Sequence, residues 1–99
     1  IKVLEFLDAG KIEPRYFSRL YGLYMRQKRL SEALDVLRAG IKRLPEYPPF
    51  REHLGDYYLR RGIFYRALEE YGQALNLQPD NMRIRKKLKT VQDRQNSGP

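Results

Sequence analysis

Displaced along itself by 34 residues, the chain falls back into register: Leu20 on Leu54, Tyr24 on Tyr58, Ala33 on Ala67, Leu34 on Leu68 and Pro45 on Pro79. A period of this length is expected of a helix-turn-helix unit that cannot bury its apolar face alone and stacks on its neighbours. The second copy explains why small residues recur in it. Gly55, Ala67 and Ala74 sit where two antiparallel helices, and the first helix of the next unit, must approach closely. Tyr58, Leu68, Tyr71 and Leu75 fill the space beside those contacts, Gly62 relaxes the turn, and Pro79 ends the second helix.

The pattern Leu54, Gly55, Tyr58, Gly62, Ala67, Tyr71, Ala74 and Pro79 resembles the tetratricopeptide repeat, with only the early tryptophan replaced, by Arg51. The resemblance implies an all-α fold, a right-handed superhelical α-solenoid of antiparallel helix pairs. The copy from Pro14 to Tyr47 is more degenerate: Tyr21 stands for Gly55, Lys28 for Gly62 and Gly40 for Ala74. Packing around Tyr21 is therefore the least defined part of the expected fold. Phe6, Ala9 and Pro14 keep the spacing of Tyr71, Ala74 and Pro79, so Ile1 to Ala9 reads as the second helix of a preceding repeat.

The expected organisation is one domain over 1–95, made of a partial repeat (1–13), full repeats (14–47 and 48–81) and a capping helix (82–95), with a flexible tail at 96–99. Helices are expected near 1–9, 14–27, 30–43, 48–61, 64–77 and 81–95, the last capped by Asp80 or Asn81. A start at Ile1 without methionine and the ending Asn96-Ser97-Gly98-Pro99 read as an excerpt from a longer protein.

Composition narrows the function. The chain has no cysteine, hence no disulfide framework, thiolate metal site or thiol nucleophile, and no apolar run of membrane-spanning length. The compartment stays open, with a cytoplasmic setting favoured over a secreted one. The only histidine, His53, has neighbours Glu52 and Asp56, but successive residues point about 100° apart on a helix, and a surface histidine is the simpler reading. No cofactor, metal or catalytic residue is expected, and the chain reads as non-enzymatic. Core packing accounts for the eight tyrosines better than a base-stacking platform does: Tyr24, Tyr58 and Tyr71 take core positions, and Tyr16, Tyr21, Tyr57 and Tyr65 border helix interfaces.

The formal net charge of +8 favours an anionic partner. In tetratricopeptide arrays the first helix of each repeat lines a concave groove for an extended peptide or partner helix. Carried over by register, the groove residues are Arg15, Arg19 and Arg26 with Ser18 and Gly22, then His53, Asp56 and Arg60 with Glu52, and Arg83 and Lys87 with Lys86 and Thr90. Such a lining suits an acidic protein or peptide partner. The subset of the family that clamps chaperone C-termini uses a lysine and asparagines where this chain has Ser18, Gly22 and His53, and only Arg83 and Lys87 match, so chaperone-tail binding is not expected. One alternative is a nucleic-acid-binding module using Arg83, Arg85, Lys86, Lys87 and Lys89 on the capping helix. The other is a scaffold or self-association region of a larger enzyme, meeting its partner through the N-terminal end.

Overall fold

The computed structural model describes residues 14–97, and all the regular structure among them is helical. The helices are α1 (Pro14–Arg26), α2 (Leu30–Arg43), α3 (Pro48–Arg60), α4 (Phe64–Leu77) and α5 (Met82–Ser97). The chain divides into two compact units at Tyr47 and Pro48. In the first, α1 packs on α2; in the second, α3 packs on α4 and α4 on α5. The helix expected at 1–9 lies outside the described residues. Residues 96 and 97, expected in the tail, form the last turn of α5.

The 34-residue period is a property of the backbone itself. α1 and α3, like α2 and α4, begin and end one period apart, and α5 begins one period after α3. Arg29 (φ −93°, ψ 73°) and Ile63 (φ −94°, ψ 78°) open the second helices, and Leu44 (φ −137°, ψ 73°) and Gln78 (φ −138°, ψ 77°) close them. Six turn hydrogen bonds in the first unit recur one period later. The amides of Lys28 and Arg29 donate to the carbonyls of Met25 and Tyr24, as those of Gly62 and Ile63 donate to Leu59 and Tyr58. This is the Schellman closure, which needs a left-handed residue just past the helix. Gly62 supplies it at φ 74°, whereas Lys28 adopts φ 60° with a side chain attached. The Schellman motif commonly pairs two side chains beside that closure. In the first unit they are Arg29 and Tyr24, with the guanidinium 5.6 Å above the ring.

Start signals behave as their chemistry requires. Pro14 and Pro48 open α1 and α3, where a missing N–H costs nothing. Asn81 caps α5, its Oδ1 accepting from the Ile84 amide at 3.2 Å.

The small residues lie where close approach was expected. Ala33, Ala67 and Ala74 are fully buried, and Gly40 is buried in α2 at the position of Ala74. A β-carbon on Gly55 would fall 2.5 Å from Cε1 and 2.6 Å from Cδ1 of Tyr71, so the α3–α4 crossing exists only with glycine there. The first unit fills its crossing by exchange. Register partners of Gly55 and Tyr71 are Tyr21 and Leu37, both buried, so the aromatic ring is carried by the first helix instead of the second.

A second exchange involves charge. Phe17 and Val36 are buried in the first unit, while their register partners Arg51 and Glu70 form an ion pair at 3.0 Å with Glu70 buried. Arg51, where the resemblance implies a tryptophan, thus packs as half of a polar pair. Of the four tyrosines expected at helix interfaces, Tyr16 is 49% and Tyr65 65% exposed while Tyr21 and Tyr57 are buried, and Tyr24, expected in the core, is half-buried. Tyr65 lies in the first turn of α4, and Tyr16 lies off the face of α1 that buries Phe17, Tyr21 and Met25.

Candidate functional site

Four of the polar residues expected on the groove face of the second unit come together between α3 and α5. Glu52 and Asp56 stand four apart on α3, and Arg83 and Lys87 four apart on α5, so each pair shares one helix face. Arg83 grips Glu52 with two parallel bonds, Nε to Oε2 at 2.9 Å and Nη2 to Oε1 at 2.8 Å. Lys87 Nζ donates to Glu52 Oε2 at 2.6 Å and reaches both Asp56 oxygens at 3.1 Å. The Tyr71 hydroxyl, from α4, also donates to Asp56. Three helices are thereby tied into one network.

The electrostatics follow from that geometry. Glu52 is buried, and the Arg83 fork, helped by Lys87 and opposed by burial, holds its carboxyl down to about 2. Burial disfavours the charge on Lys87, yet its bonds to Glu52 and Asp56 and their charges outweigh burial and raise its pKa. His53 is half-buried rather than a surface residue. Burial pushes its pKa down, with Arg83 and Lys87 adding to that effect and Asp56 and Glu52 opposing it. Chemically, the cluster is a balanced pair of anions and cations. Its strongest donors already have carboxylates.

The other expected residues are arranged differently. Arg15, Arg19 and Arg26 are exposed on α1, within about 40° of one another around the helix. Gly22 lies on the same stripe, with open space where its β-carbon would be. Arg60 is exposed at the end of α3. On α5, Lys86 is exposed and its carbonyl accepts from Thr90 Oγ1 at 2.9 Å. Exposed Arg85 and Lys89 lie off the face that carries Arg83 and Lys87, with Arg85 donating to the Pro79 carbonyl at 3.0 Å. Among the described residues no group of three or more His, Asp or Glu is placed to hold a metal ion. No helix there is long and apolar enough to cross a membrane.

Register reasoning found the members of the α3–α5 cluster but counted Arg83 and Lys87 as charges available to a ligand. The Arg51–Glu70 pair was missed altogether. A signal existed for it: both positions are apolar in the first copy and charged, with opposite signs, in the second. No protein family and no curated protein matches this chain in comparisons with known proteins.

Proposed function

We propose that this chain is part of a tetratricopeptide-like array, a right-handed superhelix, that works as a non-enzymatic interaction module and binds an acidic or extended segment of another protein. The observation that carries the reading is the backbone repetition: first helices begin at Pro14, Pro48 and Met82, and the turn hydrogen bonds recur with the same 34-residue period. Repeats of this kind present successive first helices side by side and so create a preformed surface, on which a ligand docks with little ordering cost to the receptor.

Division of labour within that surface refines the expected site. Arg83 and Lys87 act as the seam between α3 and α5, since a ligand carboxylate would have to displace Glu52 or Asp56 to reach them. Arg19, Arg26 and Arg60 are the cations offered to the ligand.

A basic nucleic-acid module is the second reading, favoured by the exposed Arg85, Lys86 and Lys89 on α5. Fluorescence anisotropy with a glutamate-rich peptide and a short single-stranded oligonucleotide separates the two. The protein-binding reading expects the peptide to bind at physiological salt. Binding of the oligonucleotide alone, falling steeply with salt, would replace it with the nucleic-acid reading.

A further inference from the structure

In the turn from α1 to α2 the first unit keeps a side chain where the backbone favours none. Lys28 is left-handed at φ 60°, at the place where Gly62 stands one period later at φ 74°. Strain of this kind persists where the strained residue is used for something besides the fold. Lys28 opens the run Lys28-Arg29-Leu30-Ser31, and the same positions in the second unit read Gly62-Ile63-Phe64-Tyr65, with neither cation nor serine. Lys28, Arg29 and Ser31 are exposed, and Leu30 between them is half-buried. Ser31 thereby differs from Ser18, which is half-buried within α1, and from Thr90, whose hydroxyl donates to the Lys86 carbonyl at 2.9 Å.

We infer that Ser31 is a phosphorylation site for a serine/threonine kinase whose acidic substrate cleft reads Lys28 and Arg29, three and two residues before the acceptor. In the transfer, Ser31 Oγ forms a bond to the γ-phosphorus of a nucleoside triphosphate while the bond from that phosphorus to the β–γ bridging oxygen breaks. The nucleoside diphosphate leaves, and the hydroxyl proton passes to a carboxylate of the kinase. Arg29 is free to turn towards the kinase, because an exposed pair such as the one it makes with Glu32 at 2.9 Å holds weakly. The fold also accepts the product. Ser31 is the second residue of α2, whose first-turn amides have no acceptor within the helix and receive no side-chain cap from Arg29. A phosphate there meets those amides and the positive end of the helix dipole and draws the Arg29 guanidinium from Glu32, with Asp35 one turn on opposing it. The site lies in residues 28–31, none of which is assigned to the groove, so the inference stands apart from that reading.

The test incubates the whole chain with ATP and a purified serine/threonine kinase that selects paired basic residues three and two positions before its acceptor, and maps the product by mass spectrometry. Phosphate should enter at Ser31 ahead of Ser18, Thr90 and Ser97, the other serines and the threonine of the chain. The initial rate should fall at least about tenfold in Lys28→Gly/Arg29→Ile, which gives the first turn the residues of the second. Because those residues suit the same backbone, circular dichroism should show this variant as helical as the parent. Arg38→Ala/Lys42→Ala removes the same charge from exposed positions elsewhere on α2 and should leave the rate unchanged. No incorporation, entry first at another residue, or equal rates for the parent and the turn variant would overturn the inference. Thermal denaturation then reads where the phosphate sits. The midpoint of the phosphorylated chain should rise above that of the unmodified chain, and an unchanged or lower midpoint would overturn its seating on the first turn of α2.

Discussion

One β-carbon at position 55 would collide with a ring that has nowhere to go. Tyr71 is fully buried and its hydroxyl is held by Asp56, so Gly55→Ala must push α3 and α4 apart. The expected cost is about 1 to 3 kcal/mol, seen as a lower thermal midpoint. Gly22 provides the control. It is mid-helix in α1 with open space around its missing side chain, so Gly22→Ala should stabilise by about 0.5 to 1 kcal/mol. Equal midpoints for the two variants would contradict the packing account. At this scale the sequence was informative about small residues, because closeness between helices leaves a direct mark in residue size. It was less informative about Tyr21, since a ring moved from one helix to its partner preserves the volume of a crossing while erasing the pattern at both positions. Lys28 shows the same limit in the backbone: a left-handed conformation normally marked by glycine is held there by a lysine.

Between elements, charge pairing does what apolar contact does elsewhere. The Arg51–Glu70 pair occupies the place of Phe17 and Val36, so the double change Arg51→Phe/Glu70→Val should leave urea stability within about 1 kcal/mol or raise it. Arg51→Phe alone strands a buried carboxylate and should cost about 1 to 3 kcal/mol. The α3–α5 seam predicts a pH dependence of definite sign. Folding lowers the Glu52 pKa from an ordinary 4.5 to about 2, so the seam contributes fully above 4.5 and loses its contribution as pH falls from 4.5 towards 2, where the unfolded chain takes the proton first. Because Arg83 is largely in water, the loss is on the order of 2 kcal/mol, less than the full linkage value. Urea midpoints measured across that range should fall for the parent and much less for Glu52→Gln; parallel curves would show that the seam does not hold α3 to α5. His53 acts in the same direction at higher pH: its lowered pKa contributes stability above 6.5 that declines as pH falls below it. Helix limits were readable because proline, glycine and asparagine punctuate them. Pairings across 31 and 35 residues were not, since one helix face can be listed from its own periodicity, whereas its partner charges are fixed only when the helices pack.

For the whole molecule, repetition is the organising fact, and the two units use it unequally. The second unit answers Arg83 and Lys87 of α5 with its own carboxylates, Glu52 and Asp56. On α1, three arginines share an exposed stripe with no acid on the helix. Arg83 and Lys87 are assigned to the framework because Glu52 and Asp56 hold them, and the proposed ligand is acidic because the exposed Arg19, Arg26 and Arg60 are cationic. Residue-resolved NMR titration with a glutamate-rich peptide at near-physiological salt tests this most directly, read alongside a parallel titration with a short single-stranded oligonucleotide. The account predicts peptide-induced shifts centred on Arg19, Arg26 and Arg60, with the Arg83 and Lys87 signals nearly unmoved. Peptide shifts centred on Arg83 and Lys87, or shifts only at Arg85 to Lys89 and strongest with the oligonucleotide, would contradict it.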